Sequence, residues 1–161
     1  MSANDNTRIR VAHHDFSLGA EHDWLSASAD DGAVVTFTGK VRNHNLDDEV
    51  SVLTLEHYPG MTEQALADIA SEARGRWPVR RISIWHRIGE LHAGEQIVFV
   101  GVSGAHRGAA FSAAEFIMDI LKTRAPFWKR ESTPQGNRWV DARVSDKQAA
   151  ERWHHRPDPL D

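Results

Sequence analysis

The stretch that most constrains this chain is Gly101–Glu131, GVSGAHRGAAFSAAEFIMDILKTRAPFWKRE. It reads as the end of a buried strand, a small-residue turn, a long helix and a second strand. Ala110, Ala114, Ile117 and Leu121 recur at helical spacing, with Phe111 and Met118 beside that stripe. Ala125-Pro126 must end the helix, because proline has no N–H to donate and pushes the residue before it out of the α region. In the strand that follows, alternation places Phe127, Lys129 and Glu131 on one face. Lys122 and Arg124 fall in the last helical turn, where partial negative charge favours cations. Helix chemistry does not explain Lys129 and Arg130, which lie past the proline. Pro126 folds the chain so that Lys122 and Lys129 enter one neighbourhood. Ammonium groups crowded together disfavour each other's charge, which suits a lysine to give or take a proton.

Length and composition narrow the setting. A chain of 161 residues is most simply one domain with one core. A net charge of −4 and a pI near 6.2 argue against a general nucleic-acid or anionic-membrane binder. The absence of cysteine excludes disulfides, thiolate metal sites and a protein-borne persulfide. The start, MSANDNTRIR, lacks the apolar core of a signal peptide, and no apolar run approaches bilayer length. A soluble, cytoplasmic protein is expected. Six tryptophans, several beside charged residues, suggest binding surfaces as well as core.

The remaining elements follow in chain order. Residues 1–7 are polar and expected to be disordered, and Arg8–His13 is a candidate edge strand. Ser17 offers an N-cap to a short helix with Leu18, Trp24 and Leu25 on its apolar side. Ala33–Arg42 reads as a strand with Val35, Phe37 and Val41 on one face and Thr36, Thr38, Lys40 and Arg42 on the other. Asn43–Asp48 is a polar, mobile connection. Val50–Tyr58 is a strand, and Thr62 caps a helix from Glu63 to Arg76 that buries Leu66, Ile69, Ala70, Ala73 and Trp77. Arg81–Ile88 and Gln96–Val102 are strands joined by a turn at Gly89–Gly94. Phe127–Ser132 and Arg138–Ala142 form a hairpin, Ser145 caps a last helix, and the tail HHRPDPLD is loose. Without regular βαβ alternation, the class is α+β with a largely antiparallel sheet. The expected division is a disordered 1–7, one domain over 8–153 and a loose tail over 154–161.

Other residue groups have plainer explanations than chemistry. Ser103–Gly108 joins a strand to a helix start, where free N–H groups and Arg107 suit an anion, but it lacks Walker A spacing. Tight packing explains such glycines more often. The ten histidines include the pairs His13-His14 and His154-His155, and His86 and His92 flank a turn. None forms a metal-ligand pattern, so no metal is expected. Lys40 and Arg42, at the end of a strand, supply a second wall for the lysine pair.

Four segments carry a resemblance to a known family: VTFTGKVRNHN (35–45), TLEHYPGMTEQAL (54–66), RIGELHAGEQIVFVGVSGAHR (87–107) and FIMDILKTRAPFWKRE (116–131). They closely resemble the MoaE family, the large catalytic subunits of molybdopterin synthase, over nearly all of Gly32–Trp153. The resemblance implies an α/β-hammerhead fold, α+β by class. It implies conversion of cyclic pyranopterin monophosphate into molybdopterin, with sulfur delivered by the C-terminal thiocarboxylate of a small ubiquitin-like subunit of the MoaD type. It further implies a homodimer at the centre of a heterotetramer, with no resident cofactor, no nucleic acid and no membrane. Carried over by motif, Lys122 and Lys129 are the catalytic lysines, Lys122 near the thiocarboxylate and Lys129 near the substrate. Lys40, Val41, Arg42, His106, Arg107, Lys122, Lys129, Arg130 and Glu131 form the substrate-binding set, and Arg143 belongs to the pocket of the neighbouring subunit. A chain without cysteine fits this role, since it cannot carry the sulfur itself. The rivals are a nucleic-acid module built on Phe127–Arg130, which the acidic charge opposes, and a non-catalytic scaffold, which has no use for paired lysines.

Overall fold

The computed structural model describes residues 3–45, 48–49, 52–140 and 144–154. The elements run β1 (Thr7–Ala12), α1 (Leu18–Leu25), β2 (Ala33–Lys40), β3 (His44–Asn45), β4 (Asp48–Glu49) and β5 (Val52–His57). Then come α2 (Met61–Arg76), β6 (Val79–Arg87), β7 (Gly89–His92), β8 (Gln96–Gly104), α3 (Arg107–Arg124), β9 (Phe127–Thr133), β10 (Gly136–Val140) and α4 (Val144–Glu151). Two four-stranded sheets have the orders β1-β6-β8-β2 and β10-β9-β5-β7, and β3 pairs with β4 alone. Every pairing is antiparallel except β1 with β6. This is the α+β, largely antiparallel class expected.

Alternation divides the first sheet between two cores. Ile82, Ile84, Val98, Val100 and Val102 face α2 and α3, where Leu66, Ile69, Phe116 and Ile117 meet them. Trp85 and Phe99 face the other way, onto Phe16 and Leu25. Gly101 lets α1 approach, since a Cβ there would sit 2.3 Å from Leu25 Cδ1. The second sheet turns Leu53, Leu55 and Leu91 toward the larger core.

Several local expectations are corrected. Residues 1–7 are not a disordered arm where they are described: Ala3–Asn6 is a 3-10 turn and Thr7 begins β1. Arg74 holds them, donating from Nη2 to Asn6 O at 2.6 Å and Thr7 Oγ1 at 2.8 Å, and from Nη1 to Arg80 O at 2.5 Å. Leu18 is exposed, and Phe16 takes its place in the core. The polar 43–48 connection contains the β3–β4 ribbon. The Gly89–Gly94 segment is more than a turn, because Gly89, at φ +85°, swings the chain into β7 of the second sheet. Gly60, rather than Thr62, precedes α2, its N–H donating to Glu63 Oε2 at 2.6 Å. Ser145 lies inside α4 rather than capping it. Of the tryptophans whose side chains are described, Trp77 and Trp153 pack edge-on around Phe116, and the guanidinium groups of Arg8 and Arg81 lie 4.7 and 4.9 Å from the Trp24 ring centre. These rings help to dock helices, and Trp153 also lines a cavity with Glu72, Arg76 and Phe116. The expected strand positions Val50, Ser51, Asp141 and Ala142, together with Arg143 and the tail beyond His154, lie outside the described residues.

The Arg74 clamp has a measurable consequence. Arg74→Ala is expected to lower stability by about 1.5–3 kcal/mol, the range for lost charge-assisted hydrogen bonds. Denaturant titration checks this, with amide exchange in β1 rising more than in β8.

Candidate functional site

Pro126 makes the corner that carries the lysines. The Ala125 N–H still donates to Leu121 O at 3.2 Å, but Ala125 itself is extended, at ψ 132°. The Phe127 N–H then donates to Ala125 O at 2.8 Å, and Thr62 Oγ1 donates to Pro126 O at 3.4 Å, tying the corner to α2. Lys122 is exposed in the last turn of α3, and Lys129 is half-buried on β9. Register explains the difference. Lys129 lies opposite Leu55, Glu131 opposite Leu53 and Phe127 opposite His57, so all three share the core-facing side of the second sheet. Glu131 is accordingly buried. Arg130 falls between them, on the outer face, and is exposed. Arg124 is drawn away from the lysines by Glu72, with Nη1 2.6 Å from Oε2.

Beneath the corner lies His86, which the sequence offered only as one of two histidines, with His92, flanking a turn. It follows Ile82 and Ile84 on the core face of β6, a period-two signal that marks a buried position. The residue is 4% exposed and its ring stacks on Phe127, with centroids 4.0 Å apart and planes 23° from parallel. Nδ1 lies 2.8 Å from Arg87 O. A carbonyl only accepts, so Nδ1 carries the proton and Nε2 the lone pair. Burial pushes the His86 pKa down to about 3; the Arg87 hydrogen bond opposes the shift, and the charges of Lys129 and Lys122 add to it. The imidazole is therefore neutral beside two ammonium groups.

The other candidates separate into two ends. β2 runs antiparallel to β8, with Lys40 opposite Gln96 and Ala33 opposite Gly104. α3 begins just after Gly104 and runs back across the sheet. Lys40, Val41 and Arg42 therefore stand at the same end as His86 and the lysines, whereas His106 and Arg107 stand at the other. Lys122 lies fifteen residue steps along α3 from Arg107, roughly 22 Å of axis. The ladder shifts register between Gly39 and Lys40; beyond the shift Val41 is buried, while Phe37, opposite Val100 on the edge strand, stays 45% exposed. Val41 is pinned by backbone bonds to Glu95 O at 2.9 Å and from Gly94 N at 2.7 Å, and Arg42 follows it exposed. Among the described residues no group of three or more His, Asp or Glu side chains is placed to hold a metal ion.

Comparison with known proteins gives the family of the chain. The family described as MoaE protein matches residues 11–124. The chain belongs to the MoaE family. The molybdopterin synthase catalytic subunit of Escherichia coli is 67% identical over 147 residues, covering 91% of this chain and 98% of that one. The MoaE protein of Burkholderia ambifaria superposes with a TM-score of 0.79 at 50% identity, covering 91% and 97%. A complex of subunits 1 and 2 of molybdopterin-converting factor from Helicobacter pylori superposes at 0.68 over 85% and 91%; at 20% identity it shares the fold. The family match takes in Lys40, Arg42, His86, His106, Arg107 and Lys122, and stops before Lys129.

The buried imidazole makes stability depend on acid. Below about pH 6.5 the unfolded chain protonates His86, while the folded chain does not until about 3, so stability falls as pH drops through that window. Each pH unit costs up to about 1.4 kcal/mol. His86→Phe is expected to flatten this limb relative to the parent, as read from urea midpoints across pH. An unchanged slope would show that His86 is not the group responsible.

Proposed function

We propose that this chain is the catalytic subunit of a molybdopterin synthase. It moves sulfur from the thiocarboxylated C-terminus of a small ubiquitin-like subunit to cyclic pyranopterin monophosphate, building the dithiolene. The observation that carries this is the convergence of Lys122 and Lys129 at the Pro126 corner, over a neutral His86, in a chain of the MoaE family. Lys122, exposed at the helix end, meets the anionic thiocarboxylate. Lys129, half-buried on β9, faces the substrate and donates a proton or stabilises developing charge. Lys40, Val41, Arg42 and Glu131 complete that end of the pocket, and Arg130 contributes from the outer face of β9. No resident cofactor or metal is needed, since sulfur and acceptor both arrive as substrates. The Helicobacter pylori neighbour is a complex of two subunits; here too a MoaD-type partner supplies the sulfur. Among the described residues no helix is long and apolar enough to cross a membrane, and the proposed place of work is the cytoplasm.

The length of α3 bears on assembly. One phosphate cannot touch both Lys122 and Arg107 of the same chain. Two copies pair, and His106 and Arg107 of one complete the site of the other, at the centre of a heterotetramer. Phe37 on the edge strand β2 and Phe111 on α3, which packs on β2, are 45% and 60% exposed and suit such a contact.

Reconstitution with the thiocarboxylated small subunit and precursor tests both parts. Lys129→Ala and Lys122→Ala are each expected to lower dithiolene formation about a hundredfold or more, whereas Lys147→Ala on α4 leaves it near normal. A folded Lys129→Ala protein of normal turnover would sink the catalytic assignment. Separately, inactive Lys122→Ala and Arg107→Ala chains, unfolded together and refolded as a mixture, should regain activity, because each mixed dimer holds one intact site. No recovery would mean that the two ends of α3 do not share a pocket.

A further inference from the structure

We infer that His86 is a positioning residue for the lysine pair: its ring seats Phe127, and so fixes where Lys129 stands relative to Lys122. The inference rests on the proposed role of Lys129. Three observations support it. His86 belongs to the first sheet and Phe127 to the second, so their 4.0 Å stack joins the two sheets at the corner. Phe127 lies two residues before Lys129 on the same face of β9, with Leu55 opposite Lys129 and His57 opposite Phe127. A tilt of the Phe127 ring is therefore passed to Lys129 through one short, paired stretch of strand. Finally, the imidazole cannot spin freely, because the Nδ1–H bond to Arg87 O at 2.8 Å sets its plane.

The chemistry of the side chain suits the place. The charged groups acting on the ring are Lys129 from β9 and Lys122 from α3, and both oppose its protonation. A cationic residue here would push the ammonium groups apart. A small aliphatic one would leave Phe127 without a partner plane. An imidazole held in its neutral tautomer gives a flat surface and a fixed azimuth without adding a third positive charge.

The test uses the reconstituted synthase and a double-mutant cycle. His86→Ala is expected to lower kcat roughly ten- to a hundredfold, the scale of a small misplacement of a reacting group, with KM for the precursor and affinity for the small subunit little changed. His86→Phe, which restores a neutral ring, should recover most of that loss. In a Lys129→Ala background, removing His86 should cost nothing further, because His86 acts through that lysine. Nitrogen-15 shifts of His86 should report the neutral Nδ1–H tautomer over about pH 5 to 8. Where Lys129→Ala is inactive, full activity of His86→Ala overturns the inference and leaves the Lys129 assignment standing. So do losses that multiply in the double variant, or a folded but inactive His86→Phe. Normal activity of Lys129→Ala overturns the assignment beneath it. If His86→Ala does not fold, Phe127→Leu probes the same contact from the other side. It keeps apolar bulk without the stacked ring, and is expected to lower kcat similarly; full activity there overturns the inference too.

Discussion

Pro126 cannot donate the N–H that would carry α3 one residue further, and the rest of the site depends on that missing bond. The helix stops at Arg124, Ala125 turns extended, and β9 begins at Phe127. A helix end and a strand start are thereby held within a few residues of each other. Thr62, buried at the start of α2, fastens the corner by donating to the proline carbonyl. The geometry is backbone geometry, so it survives side-chain motion and presents Lys122 and Lys129 from two rigid elements rather than from a loop.

Electrostatics then sorts the cations. Arg124 is answered by Glu72, and Arg152 by Glu115 and Asp119, so these arginines serve the packing of α2, α3 and α4. Arg87 is consumed by carbonyls of His13 and Gln96 where β6 leaves the first sheet. His86 is kept neutral by burial. The corner itself holds a lysine pair beside an uncharged ring, with a buried carboxylate, Glu131, on the same strand face as Lys129. That charge balance suits an anionic sulfur donor meeting an anionic substrate, where excess positive charge would bind both without discriminating the reacting state.

The two-sheet architecture explains why the site is divided. α3 spans the first sheet from the Gly104 end to the Lys40 end, so the anion-suited turn at His106-Arg107 and the lysine corner occupy opposite ends of one helix. In the proposed reading a single chain carries two half-sites, and closure by a second copy is inferred from helix length and from exposed phenylalanines along the β2 side, rather than from any motif.

Much of this was legible in the residues themselves. Helical spacing marked the buried stripe of α3, proline marked its end, and alternation put Phe127, Lys129 and Glu131 on one face. These are local rules, decided within a few bonds. The sequence also marked the strands of the first sheet and the α+β class, since periodicity reports which face is buried. It did not show that Gly89 turns the chain into a second sheet, because a positive-φ glycine looks the same in a plain turn. It grouped Phe37 with Val35 and Val41 but did not show that Phe37 would be exposed, because only the strand order puts β2 at the edge of its sheet. It left His86 among scattered histidines. Only the packing of β6 against β9, two strands far apart in the chain, stacks that ring on Phe127 and strips it of water, and with it of charge.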